Sequence, residues 1–377
     1  MLSGRGTARQ GNTAGGAASA ESVEQSHSES PPRDPAVPDA LTLDSFGPLP
    51  VRRPADSVEL ADLVRDAAAA GQGLYPRGGG THSSLGLVPT KPGLALDLTA
   101  LNRVIDYPAR DMTVTLQAGA TLAQLRDLLK AENQWLPLDV PNPEAATVGG
   151  AMAANASGPR RLTQGTWRDA VLGVRFVTDE GIEVKGGGRV VKNVAGYDLM
   201  KLHVGALGTL GILTEVTLKV KPIPEASAFV VFGVPAAAVA PTLDRLHASA
   251  GRPVAVELLN RAAAKALGVP LPDAEPWLIA CGFEEKAVTV DWQIETLKGE
   301  AVGAPLRDLT VVRDGAAAAL WTTLTALQTG RADSSTLKFN VRPSAVAALA
   351  LKASAAAPNC ISAWCPRSPA SRYPRRG

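Results

Sequence analysis

The chain is short of aromatics, of cysteine and of net charge, and each shortage excludes something. Aromatic residues make up 4% of its 377 residues, too few for a platform that stacks nucleic-acid bases. The formal net charge is only +2, which leaves no basic footprint for a phosphate backbone, so no nucleic-acid partner is expected. The three cysteines, Cys281, Cys360 and Cys365, have neither zinc nor cluster spacing. Cys281 ends the apolar run Trp-Leu-Ile-Ala-Cys and reads as a buried thiol, which fits a reduced, cytoplasmic compartment. No apolar run approaches the ~18 residues a membrane helix needs, and no apolar leader segment follows Met1. The P-loop spacing G-x-x-x-x-G-K-[ST] is missing, and no G-x-G-x-x-G opens a helix. What is present is 45% apolar residues over a length that allows two domains.

Against that background one stretch stands out: Tyr75, Pro76, Arg77, Gly78, Gly79, Gly80, Thr81, His82, Ser83, Ser84, Leu85 and Gly86. Three successive glycines follow an apolar run that reads as the end of a strand. Lacking Cβ atoms, they can take positive φ and turn successive N–H groups towards one point. Such a concavity suits an anion, and a diphosphate is its natural occupant. Glycines also serve plain tight turns, so this loop alone decides nothing.

A second block, 147–213, is dense in glycine and small residues. Thr147 is placed to cap a helix entered by Val148, Gly149 and Gly150, whose N–H groups would form a second anion-binding end. Ala151, Ala153 and Ala154 keep side chains short, as a bulky flat ligand would need; from this piece alone, a tightly packed helix with no ligand reads equally well. Residues 168–184 alternate as strands do and turn at Asp179-Glu180-Gly181, a hairpin signal. Further on, Gly205, Gly208 and Gly211 interrupt a strand-forming sequence, which predicts close approach of backbone to a ligand or another strand.

Composition divides the rest. Residues 1–40 are rich in Gly, Ala, Ser and Pro without periodicity and read as disordered. Helices are predicted over 57–70, stopped by Gly71, and over 121–132, burying Leu122, Leu125, Leu128 and Leu129. A glycine-motif domain spans 41–225. From 226 to 352 the pattern becomes strand, Ala-rich helix, strand, helix, an α+β layer. From 353 to 377 the chain turns Pro-, Arg- and Ser-rich; a frameshifted or truncated end and a native disordered tail are both open.

Taken together, Pro76-Arg77-Gly78-Gly79-Gly80-Thr81, Thr147-Val148-Gly149-Gly150, Asn155-Ala156-Ser157-Gly158, Arg168-Asp169-x-Val171-Leu172-Gly173 and Gly205-x-x-Gly208-Thr209-Leu210-Gly211-Ile212 resemble the FAD-binding domain of the vanillyl-alcohol-oxidase/PCMH flavoprotein superfamily. Residues 187–198, Gly-Gly-Arg-Val-Val-Lys-Asn-Val-Ala-Gly-Tyr-Asp, are similar to its 2-hydroxyacid dehydrogenase branch, and within it to the FAD-binding E subunit of bacterial glycolate oxidases.

The resemblance implies an α+β fold: a PCMH-type domain of two α+β subdomains followed by a smaller α+β cap. It implies noncovalent FAD, with Gly78, Gly79, Gly80 and Thr81 and the turn at Thr147, Val148, Gly149 and Gly150 around the pyrophosphate. Pro76 and Arg77 would flank the first loop, and Arg77 could add a charge or point to solvent. Asn155, Ser157 and Gly158 would approach the flavin ring, and Gly208, Gly211 and Ile212 would lie beside the adenine-ribose or the ring. His82 is the one residue near a position where some members attach FAD covalently, but Thr81 intervenes. Catalytic members carry a His-rich Gly-Asp-Gly-Asn-type segment in the cap, which supplies a base. None is found here, and the catalytic residues stay unknown. The expectation is a redox subunit acting with a catalytic FAD-containing subunit and an iron–sulfur subunit on a small 2-hydroxyacid such as glycolate, in the cytoplasm or at the inner face of the membrane through those partners. A non-catalytic assembly subunit and a stand-alone D-lactate-type dehydrogenase are the alternatives.

Overall fold

A computed structural model describes residues 39–43, 46–188, 197–268, 276–302, 306–329, 341–357 and 363–364. The first layer contains β1 (Ala40–Leu43), β2 (Phe46–Arg52), helix α1 (Ser57–Ala69), β3 (Gly73–Arg77) and β4 (Gly93–Asp97), its strands ordered β1-β2-β4-β3. β3 and β2 both run parallel to β4. Helix α1 starts where the Asp56 carboxylate accepts the N–H groups of Val58 and Glu59 at 2.9 Å, and it ends at Gly71, whose φ of +64° no β-carbon opposes. It buries Leu60, Ala61, Val64 and Ala67 at helical spacing.

The second layer follows in chain order: β5 (Val104–Asp106), β6 (Thr113–Gln117), α2 (Leu122–Lys130), β7 (Gln134–Trp135), α3 (Val148–Ala153), α4 (Trp167–Ala170), β8 (Val171–Val177), β9 (Glu183–Gly187), α5 (Leu199–Leu202) and β10 (Ile212–Lys219). Its sheet order is β5-β6-β10-β8-β9, antiparallel throughout. The expected hairpin is β8–β9, turning at Gly181 with φ +71°. α2 opens on a capping box between Thr121 and Gln124. Strand periodicity puts Val114, Leu116, Val174, Phe176, Val216 and Leu218 on the face that packs against α2 and α3. Trp167 is fully buried there and donates its indole N–H to the Ala156 carbonyl at 2.7 Å, which fastens the loop after α3 to the core.

β11 (Lys221–Pro222) pairs with β7 and leads into a third layer: β12 (Ala226–Val234), α6 (Val239–Ala248), β13 (Ala255–Asn260), α7 (Arg261–Ala266), β14 (Trp277–Glu285), α8 (Ala287–Glu300), β15 (Arg307–Arg313), α9 (Asp314–Ala326), α10 (Pro343–Ala356) and β16 (Ala363–Trp364). The sheet order is β15-β12-β14-β13-β16. Odd residues of β14, such as Ile279, Cys281 and Phe283, pack among residues of α6, α8 and α10, while Leu278 and Ala280 pack among those of α7 and α9. Burial pushes the Cys281 thiol pKa up, which keeps it an inert core group. The α+β class follows the sequence expectation.

The tail differs. Helix α10 runs to Ala356, and Ala363–Trp364 pair with Leu258 and Leu259 of β13, so the pattern does not stop at 353. Alanine dominates α10, and alanine sustains a helix even where few large apolar residues mark a face. Residues 1–38 of the proposed disordered head, most of the 187–198 motif and most of the tail lie outside the described residues, while Ala40, assigned to that head, begins β1.

Candidate flavin site

Strand β3 carries the first glycine loop to the second. A β-carbon on Gly78 would collide with the Thr147 hydroxyl, and one on Gly79 with the Ala145 carbonyl. Only Gly80 is left-handed, at φ +73°. Gly78 and Gly79 are therefore required by close packing, against the Thr147 side chain and the Ala145 backbone respectively, not by positive φ as expected. The N–H groups of Gly78, Gly79, Gly80 and Thr81 have no acceptor among the described residues. The Arg77 guanidinium folds back against Gly80, and its Nε is buried with no hydrogen-bond partner among them. A row of unspent donors beside an unspent guanidinium edge is what an anion needs.

The second loop behaves otherwise. Thr147 caps α3 as expected, its hydroxyl accepting the Gly150 N–H at 3.2 Å. However, Val148 N–H donates to the Ala120 carbonyl and Gly149 N–H to the Ala118 carbonyl, both at 2.8 Å. All three donors of the anticipated second anion end are consumed inside the protein. The expectation of a backbone anion site at 148–150 is corrected on that ground. Gly149 is glycine because its β-carbon would lie 2.6 Å from Ala118 Cβ. Val148 is fully buried core.

The third loop closes on the first: a β-carbon at Gly208, where φ is +77°, would lie 2.9 Å from Pro76 Cγ. Gly205, Gly208 and Gly211 are all left-handed and belong to the approach to β10, which begins only at Ile212. Ile212 itself is buried between the first two layers, with Leu60, Leu96 and Val177. Gly205 N–H and Leu207 N–H bond to the Met152 and Ala153 carbonyls, stitching this loop to α3.

Asn155 takes φ +49°, and its Oδ1 is buried without a hydrogen-bond partner among the described residues. Ser157 is buried and donates to the Asn155 carbonyl at 3.5 Å. Gly158 faces the other way: a β-carbon there would strike the Gln328 amide after α9 and approach Asp139 Cβ at 2.6 Å. His82 Nδ1 lies 3.0 Å from the Thr81 hydroxyl. His203 is buried against the Phe176 ring, centroids 4.1 Å apart, and burial lowers its pKa from the ordinary 6.5.

Sequence reasoning missed the buried ionic cluster two residues past Gly158. Arg160 donates from Nε and Nη2 to Glu284 at 2.8 and 2.6 Å, from Nη1 to Asp139, and from its peptide N–H to Asp139 at 2.7 Å. Burial opposes its charge, but the bonds to Glu284 and Asp139 outweigh that and hold its pKa above the ordinary value. The available signal was register: Leu278, Ala280, Gly282 and Glu284 share one face of β14, so Glu284 points into the fold rather than to water.

Three glycine-bearing loops thus meet on a mixed sheet and an antiparallel sheet, with free donors and an orphaned Arg77 and Asn155 among them, and the residues present fit a dinucleotide. The matching family model is the FAD binding domain, over residues 48–187. The chain carries a PCMH-type FAD-binding domain, and FAD is its cofactor. Among curated proteins it is similar to the glycolate oxidase subunit GlcE of Escherichia coli (strain K12), 38% identical over 172 residues, 45% of this chain and 49% of that protein. Glycolate oxidase subunit GlcD of Bacillus subtilis (strain 168) is 36% identical over 152 residues, 40% of this chain and 32% of the relative. D-2-hydroxyglutarate dehydrogenase of Xanthomonas citri pv. viticola is 34% identical over 188 residues, 50% of this chain and 40% of the relative. The chain spans about half, or less, of the length of these relatives. A solved alkyldihydroxyacetonephosphate synthase shares the fold at TM-score 0.60 and 21% identity, over 74% of this chain and 55% of that one. No helix among the described residues is long and apolar enough to cross a membrane.

Proposed function

We propose that this chain is the FAD-binding redox subunit of a glycolate-oxidising complex, taking part in the conversion of glycolate to glyoxylate. The observation that carries the proposal is the loop 78–81, whose four N–H groups have no acceptor among the described residues beside the Arg77 guanidinium. The likeness to GlcE supports the complex and the substrate class. FAD, when bound, supplies the two-electron acceptor for a C–H bond alpha to a hydroxyl. The chain's own work is to bind and orient it. Loop 78–81 and Arg77 would hold the pyrophosphate, Gly208 and Gly211 would let the third loop pack close against the first, and Asn155 would offer its unpartnered oxygen to the flavin. Thr147, Val148, Gly149 and Gly150 support the first loop from beneath. The third layer is the cap, and the catalytic FAD-containing subunit and the iron–sulfur subunit complete the complex.

The flavin is held without a covalent bond. Acid precipitation should release the yellow colour into the supernatant; colour kept in the pellet would assign His82 an attachment role. The purified chain alone should reduce an artificial acceptor with glycolate poorly, and activity should appear on adding the partner subunits. Robust turnover by the isolated chain would favour the stand-alone 2-hydroxyacid dehydrogenase instead, a reading that the likeness to D-2-hydroxyglutarate and D-lactate dehydrogenases supports. A folded, colourless chain that still completes the complex would favour the assembly role.

A further inference from the structure

The Arg160 cluster joins parts of the chain that the sequence keeps far apart. Asp139 precedes α3, and Trp135 lies on β7, paired with β11 where the chain crosses into the third layer. Glu284 and Trp321 belong to β14 and α9 of that layer. A single guanidinium spends one edge on Glu284 and a further N–H on Asp139. It lies 3.8 Å from the centre of the Trp321 ring and 5.0 Å from that of Trp135. Trp321 is itself fixed: its indole N–H donates to Ser227 at 2.9 Å, its ring packs on Phe229, and Gly282 leaves the space it fills.

We propose that Arg160 is a positioning residue that couples the docking of the third layer to the conformation of segment 155–158, which carries Asn155. The coupling is short and stiff. Pro159 follows Gly158 and restricts φ at the start of a single 3-10 turn, Pro159–Leu162, so a shift of Arg160 is transmitted to Gly158 rather than absorbed. Gly158 is wedged between Asp139 and Gln328, and Trp167 holds the Ala156 carbonyl from the other side. Segment 155–158 therefore hangs between one anchor in the second layer and one set by the third. Burying an ion pair costs desolvation that a packed apolar contact would avoid, so what the bidentate fork adds here is a fixed geometry. The inference rests on the flavin reading of Asn155, and its test separates the two.

The test compares the full chain with Arg160→Met, Arg160→Lys and Glu284→Gln, using FAD titration and amide hydrogen exchange with and without FAD. Arg160→Met should weaken FAD binding at least tenfold at a temperature where the variant is folded. It should also speed exchange in 155–158 and in the C-terminal half of β14 together. Lysine, which keeps the charge but not the fork, should recover only part of the affinity. Glu284→Gln should act in the same direction from the other layer, by about threefold, and it decides the matter if both Arg160 variants fail to fold. Unchanged FAD affinity with faster exchange confined to β14 would overturn the proposal, leaving Arg160 a stabilising contact only. Should the unaltered chain bind no FAD, the flavin reading fails, while joint acceleration in 155–158 and β14 still supports the coupling and its absence refutes it.

Discussion

The loops at 78–81 and 147–150 are both glycine-rich, both follow or begin regular structure, and they touch each other, yet their hydrogen bonding is opposite. In the first, the N–H groups face no acceptor among the described residues; in the second, the carbonyls of Ala118 and Ala120 and the Thr147 hydroxyl take those of Gly149, Val148 and Gly150. On the proposed reading the first loop receives the pyrophosphate, while the second holds the first in place. A helix start is therefore an anion site only when its donors are unspent. Here the loop after β6 has spent them.

Substitutions can break this division of labour. Gly79→Val should have the largest effect, because its side chain meets the Ala145 backbone carbonyl rather than a flexible side chain. Loss of flavin together with about 3 kcal/mol or more of stability is expected, read by absorbance and denaturant titration. Gly149→Val should cost about 2–3 kcal/mol, since Ala118 lies on rigid backbone. Flavin per folded molecule should nonetheless stay near normal; a selective loss of flavin would return the second loop to the anion site. Gly80→Ala meets only the flexible Arg77 end but must hold φ +73°. It should cost about 1 kcal/mol of stability and shift FAD affinity by more than that, a ratio opposite to that of Gly149. Thr147→Ala removes the cap of α3 and should cost about 1 kcal/mol, with no change in flavin spectrum.

The smallest effect concerns pH. Burial lowers the His203 pKa below its ordinary 6.5, so on acidification the unfolded chain takes up the proton first. The stability that the neutral ring contributes is complete above about pH 6.5 and is lost as the pH falls below it. The melting temperature of the native chain should therefore drop more steeply below that pH than that of His203→Phe. Parallel curves would assign the acid response to other groups.

Much of the fold could be read from local rules. The helix at 57–69 and its Gly71 stop, the capped helix after Thr121, the β8–β9 hairpin and the alternation of strands and helices beyond 226 all follow from periodicity, caps and turn residues. The order of the glycine motifs also marked the flavin domain. The roles inside that domain were not legible. Whether Gly149 N–H is free depends on Ala118, which reaches it only after β6 and α3 pack, and nothing local in Val-Gly-Gly reports that. Glu284 looks in sequence like a solvated charge at a strand end. It is buried because Arg160, 124 residues earlier, arrives over Trp321 to meet it. By itself, then, the sequence determined the elements, their class and the flavin loops, because φ, ψ and side-chain period are set by neighbours along the chain. Which donors stay free and which charges are buried was decided only by the tertiary structure, because a hydrogen bond or an ion pair belongs to two groups and distant packing selects the second.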